Sequence, residues 1–429
     1  MPASVRNGKA RAPRILMLLE NNPYPGDTRV RREAVALVEA GYHVTVIAPR
    51  GDGEPPEDRV AGVSVYRYPP PPENKSVIGF AWEFLYSTVA AFWVSLRVWR
   101  REGFDAVHAH NPPDTLFVIG LFYRLFGKPF VFDHHDVSPE LYMARTGGEG
   151  SRFIYGALRF LERCTYASAN HVIATNQSFK RLAMERGRRA ESDVTIVRNG
   201  PLLKDIGAYE PFDALKDSGK TILGYAGVIG IQDGLDYLVR ALAHLLHARR
   251  RDDFLCIVMG EGDDLPRVRA LADELAVASH IQFAGWVEKP TLGRYLTTMD
   301  IGLDPDPSNP CNDHCTMIKM SEYMAFGKPI VAFDLPEHRF TAPDSALFVP
   351  NNDIALFAEA IERLMDDPEA RQRMGDAGLA RVRSELAWDF SAPRLIGAYD
   401  RLFGAPFGIR KPAPGAAPVL EADHSTRPA

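Results

Sequence analysis

Cysteine is scarce: the 429-residue chain has four. That is too few for a disulfide framework at this length, and it points to a reducing, cytoplasmic compartment. An excess of one charge sign is also lacking. Fifty Lys and Arg against 55 Asp and Glu leave a net charge of −5, so no nucleic-acid partner is expected, because neutralising a phosphate backbone needs a basic surface. Zinc-type ligand spacing is missing too. Cys311-x3-Cys315, with His314 between, has no second ligand pair nearby, and the four adjacent side chains of Asp133-His134-His135-Asp136 cannot converge on one ion. No bound metal or cofactor is expected. The basic stretch 1–13 reads as a disordered arm rather than a secretory signal, and the Pro- and Ala-rich stretch 404–429 as a disordered tail.

An uninterrupted apolar run of spanning length is likewise wanting. Residues 78–99 come nearest, but Glu83, Ser87, Thr88, Ser95 and Arg97 break them. Trp82, Leu85, Tyr86, Val89, Trp93, Leu96 and Arg100 recur at helical steps. Three readings stand: a domain helix with a broad buried face, a membrane-interface helix with Arg97, Arg100 and Arg101 at its end, or a span.

What is present is a globular composition, 46% apolar and 24% charged, in strand-like runs that alternate with helical patterns. The series Arg14–Glu20, His43–Ala48, Val63–Tyr68, Ala106–His108, Pro129–Asp133 and His171–Thr175 runs to Asn199-Gly200. It restarts with Thr221–Ala226, Leu255–Met259, Ile281–Phe283, Ile301–Leu303 and Ile330–Phe333. Two such series, split near 202–220, predict two doubly wound parallel sheets with a ligand cleft at the strands' carboxyl ends. Gly260-Glu261-Gly262-Asp263 lacks the third glycine of a dinucleotide fingerprint.

Several stretches carry a resemblance. They are Asp27–Ala34 (DTRVRREA), Phe130–Asp136 (FVFDHHD), Val197–Gly200 (VRNG), Gly227–Gly234 (GVIGIQDG) and Lys319–Val331 (KMSEYMAFGKPIV). In order and spacing over about residues 14–402, the chain resembles bacterial retaining glycosyltransferases of family 4. The resemblance implies the α/β GT-B fold, two Rossmann-like domains facing across a cleft. An acceptor domain would span 14–205 and a nucleotide-sugar domain 206–387, with a helix at 388–403 crossing back. It implies a metal-independent transfer with retention, in which the departing phosphate deprotonates the acceptor. Partners would be a nucleotide-sugar, most readily a UDP-sugar, and a saccharide or lipid-linked saccharide of the bacterial envelope. Peripheral contact with anionic membrane, at the inner face of the cell membrane, would accompany this.

Residue by residue, the resemblance gives Glu322 the donor ribose. It puts His135 beside the reacting sugar, with His108 and His110 on the acceptor side of the same cleft. Gly26 would meet the diphosphate, while Asp27 either faces the cleft or caps its helix. The Gly285–Val287 segment would meet the base, with Trp286 stacking or merely packing. Two departures stand out. The family's first acid, eight residues before Glu322, is His314, so His314 or Asp313 would meet the donor sugar. The usual Arg and Lys of the phosphate clamp are Val228 and Asp233. Diphosphate would then fall to amides near Gly230, to the helix start at Thr316, Met317 and Ile318, and to Lys319 or Arg29. Two rivals share this fold: a nucleotide-sugar epimerase, and a non-catalytic carbohydrate-binding protein.

Overall fold

The computed structural model describes residues 11–71, 77–207 and 209–404. Most of the expected arm and tail lies outside them. The first sheet holds β1 (Arg14–Leu18), β2 (His43–Pro49), β3 (Glu57–Val60), β4 (Val63–Tyr68), β5 (Ala106–His110), β6 (Phe130–His134), β7 (His171–Ala174) and β8 (Val194–Ile196). Their order is β3-β4-β2-β1-β5-β6-β7-β8. Every pairing is parallel except β3 with β4. The second sheet holds β9 (Thr221–Ala226), β10 (Phe254–Met259), β11 (Ile281–Gly285), β12 (Ile301–Asp304), β13 (Ile330–Phe333) and β14 (Ala346–Val349). It runs β11-β10-β9-β12-β13-β14, all parallel.

Both faces of each sheet are covered, as the unbroken apolar runs require. Along β1, Leu16 and Leu18 enter one core, and Ile15 and Met17 the other. In the second sheet Leu223 and Tyr225 face one side, Ile222 and Ala226 the other. The helix Trp388–Phe403 returns to the first domain, where Trp388, Leu395, Ala398 and Tyr399 join its core.

The helix Val77–Arg101 corrects the reading of its apolar stripe. Among its described side chains Ser87, Ala91, Ser95 and Val98 are buried, and Tyr86, Phe92, Leu96 and Trp99 pack half-buried against the core. Part of the stripe of large side chains turns outward, with Trp82 56% and Trp93 65% exposed, and Leu85 and Val89 exposed beside them. Small residues at 87, 91 and 95 let the helix lie close against the sheet, and Trp82, Leu85, Val89 and Trp93 are left outside. Among the described residues, no helix is long and apolar enough to cross a membrane.

Candidate active site

Three segments of the first domain meet beneath its strand ends. The helix Thr28–Glu39 starts at Asp27, whose carboxylate accepts from the Val30 amide at 2.9 Å. Its inner face carries Arg29 and Glu33, buried and in contact at 3.0 Å. Strand β5 contributes His108 and His110, with rings stacked 4.3 Å apart. From β6 comes Asp133, fully buried. Arg29 Nη2 donates to it at 2.9 Å and Nε at 3.1 Å, while Nη1 reaches the Val197 carbonyl and Asn199 Oδ1. His110 Nδ1 is 3.3 Å and His135 Nδ1 3.4 Å from the same carboxylate. Tyr399, from the returning helix, bonds His108 Nδ1 at 2.8 Å.

The electrostatics follow from burial with one guanidinium among two carboxylates. Burial opposes ionisation of Asp133, but Arg29 and the three histidines outweigh it and hold the carboxyl well below its usual range. Burial pushes Glu33 well above its own, with Arg29 only partly offsetting. Burial lowers His108, and takes His110 down to about 3 with help from His108. His135 goes the other way: burial lowers it, and Asp133 raises it by more. Glu33, His108, His110 and Asp133 bring ligand atoms within 4.8 Å of one another. Arg29 already supplies positive charge to both carboxylates there, and a divalent ion would have to share a sealed pocket with it.

Across the cleft, Glu322 sits half-buried on the helix Ile318–Ala325. It lines a cavity of about 70 Å³ with Arg32, Leu202, Tyr209, Lys289 and Phe326. Burial raises its pKa, and Arg32, Lys289 and Lys319 pull it back. Lys319 is buried against Asp306, with Asp304 at 3.5 Å and the Tyr225 ring at 4.8 Å. Burial lowers this ammonium, but Asp306 more than restores it, so its pKa stands well above normal. Met317 gives the helix start no side-chain cap. The loop after β10 crosses Gly227 closely: at Gly260, with φ +144°, a Cβ would lie 1.8 Å from the Gly227 carbonyl oxygen.

Four expectations are corrected. Arg29 does not face the diphosphate, because all its nitrogens are spent inside the domain. His108 and His110 are 0% and 1% exposed, so they underlie the cleft rather than line it. The Gly230 amide donates to Asp233 Oδ2 at 2.8 Å and is not open to phosphate. Asp313 is turned onto its own loop, accepting from Ser308 Oγ at 2.9 Å. His314 lies half-buried between the domains. Its carbonyl accepts from Asn176 Nδ2, and burial and Arg186 lower its ring. Thr316 Oγ1 accepts from the same Asn176 side chain at 3.0 Å. Gly26 and Ile318 are exposed, and Trp286 is half-buried with its amide 3.4 Å from Glu261 Oε1.

Sequence reasoning missed Glu33, Asn111, Asp304, Asp306 and Glu337. Asn111 Oδ1 accepts the amides of His135 and Asp136, pinning the loop after β6. Glu337 crosses between domains, accepting from the Ser178 amide at 3.0 Å and hydroxyl at 2.7 Å. Asp304-Pro305-Asp306, two acids at the end of a strand, was a signal available to the eye. Convergence of the others is set by the tertiary fold alone.

Two family models match the chain, Glycosyl transferase 4-like domain over residues 26–200 and Glycosyl transferases group 1 over 209–381. An uncharacterized glycosyltransferase of Methanocaldococcus jannaschii is 25% identical over 386 residues, covering 85% of this chain and 91% of its own. Sucrose-phosphate synthase of Thermosynechococcus elongatus superposes with a TM-score of 0.75 at 18% identity, over 92% of this chain and all of the other. HepE of Anabaena, solved in complex with UDP-glucose, superposes with a TM-score of 0.69 at 14% identity, over 90% and 99%. The fold is therefore GT-B. The chain belongs to the GT-B glycosyltransferases of the family-4 type, and it is a glycosyltransferase.

Proposed function

We propose that the enzyme transfers a sugar, with retention and without a metal, from a UDP-sugar to a saccharide or lipid-linked saccharide at the cytoplasmic face of an envelope membrane. The observation that carries the reading is Glu322, a half-buried acid in a small hollow flanked by Arg32 and Lys289. A carboxylate there can accept both hydroxyls of a ribose, and hydrogen bonds to a charged acceptor are the strong ones. Expelling a diphosphate develops negative charge. The uncapped helix start at Ile318 and the Lys319 ammonium would meet it with a dipole and a cation. His135 would stand over the transferred sugar from the opposite domain. The UDP-glucose complex of a structural neighbour supports the choice of base.

The acceptor's lipid character is supported by the outer face of the first domain. Trp82, Leu85, Val89 and Trp93 are exposed on one helix, Val118, Leu121, Leu125 and Phe126 on and just after the next, and Phe153 and Phe160 on a third. Exposed Arg97, Arg100, Arg101, Arg124, Arg152 and Arg163 lie among them. Apolar side chains in a basic surround suit an anionic bilayer.

The test is transfer from UDP-glucose and UDP-galactose to a lipid-linked saccharide mixture, with and without chelator, reading the product's anomeric configuration by NMR. The reading expects a product with the donor's configuration and a rate indifferent to chelator. An inverted product or a chelator-abolished rate would overturn it.

A further inference from the structure

Arg29, His108, His110 and His135 each bring a nitrogen within 3.7 Å of the Asp133 carboxylate. It lies next to last on β6, fully buried, two residues before His135. Arg29 grips both its oxygens through Nε, at 3.1 Å each. A carboxylate sealed away from water would otherwise take up a proton. Glu33, which also touches Arg29, is left with neither oxygen hydrogen-bonded. The two acids share one guanidinium, and the bidentate contact goes to Asp133.

His135 is held at both ends. Its backbone amide donates to Asn111 Oδ1 at 2.9 Å, and its Nδ1 is 3.4 Å from Asp133 Oδ1. The side chain is 12% exposed, while the rings of His108 and His110 are sealed. With Nδ1 turned to Asp133, Nε2 is the nitrogen left for the cleft. We propose that Asp133 is a positioning residue for His135: it takes the Nδ1 proton as a hydrogen bond, fixes that tautomer, and aims the Nε2 lone pair at the transferred sugar. Arg29 keeps Asp133 ionised and ties it, through Val197 and Asn199, to the chain leaving for the second domain. The arginine thus acts on the reaction through two intermediaries and touches no substrate. This inference rests on His135 facing the reacting sugar.

The experiment has an arm that needs no turnover. Long-range proton–nitrogen spectra of the full chain labelled in histidine nitrogen, with His135 assigned by its loss in His135→Gln, report which ring nitrogen carries the proton. The expected neutral form has the proton on Nδ1, and Asp133→Asn should mix the tautomers. A proton on Nε2 in the wild type overturns the proposal. So does a His135 spectrum unchanged by Asp133→Asn. The second arm is a double-mutant cycle. Asp133→Asn should lower kcat by roughly 10- to 100-fold, the range of a misplaced proton-handling group, with the donor KM within about threefold. Added to His135→Gln, it should cost less than about threefold more. Multiplying penalties would overturn the proposal, because a structural role acts whether or not His135 is present. If Asp133→Asn fails to fold, the wild-type tautomer decides. If no donor supports turnover, the functional reading falls while the tautomer is still read.

Discussion

Removing the Arg29 guanidinium leaves two buried carboxylates, Glu33 and Asp133, without their counter-charge. Breaking a buried pair from one side costs about 3–5 kcal/mol. Arg29→Ala should therefore lose stability of that order in urea unfolding; a phosphate-binding arginine would instead spare stability and raise the donor KM. Asp233 allows a second prediction. Burial, and then the charge of Asp306, push its carboxyl up to about 6. An acid raised in the folded state penalises that state once it ionises. The penalty is absent below the ordinary carboxylate range and complete above about 6. Asp233→Asn should raise the melting temperature at pH 8, with the gain closing by pH 4. At neutral pH it should also tighten donor binding, because one negative charge leaves the surroundings of Lys319, the cation proposed to meet the diphosphate. Equal gains at both pH values would contradict this. At this scale the sequence was legible where a motif marks a position, as at Glu322, which the fold sets half-buried in a hollow shared with Arg32 and Lys289. It was opaque where a role depends on convergence: Glu33 lies 100 positions from Asp133 and reads as one more acid on a charged helix.

Helical period announced the element at 77–101 but not which face it buries. Hydrophobic spacing predicts a buried stripe only when large side chains have a partner. Here Ser87, Ala91 and Ser95 are buried, and Trp82 and Trp93 stand out. Replacing both tryptophans by glutamate should abolish flotation with anionic vesicles and move the melting temperature little, as surface substitutions do. Persistent flotation would remove the membrane from the account. The edge strand Glu57–Val60 was missed for the opposite reason. It pairs antiparallel with β4 through its backbone, and three of its four side chains are exposed, so no apolar pattern marks it.

The two series of strands were readable because parallel strands buried on both faces are written as apolar runs with helices between. How the domains close on each other was not. The chain crosses between them twice, and the crossings touch: the Trp388 amide donates to the Pro201 carbonyl at 2.9 Å. A Cβ on Gly200 would lie 1.9 Å from the Leu386 carbonyl oxygen, backbone against backbone. Gly200→Ala should push these segments apart, lowering the melting temperature by several degrees and enlarging the radius of gyration in small-angle scattering. An unchanged radius would contradict that. The most direct measurement of the central claim, that Glu322 grips the donor's ribose, is thermal denaturation of the full chain with UDP-, GDP-, ADP- and dTDP-glucose beside Glu322→Ala. Ligand at 100 times its Kd adds about 2.7 kcal/mol to stability. UDP-glucose should therefore raise the wild-type melting temperature by several degrees and leave the variant nearly unmoved. Equal shifts in both proteins, or none with any nucleotide-sugar, would contradict it.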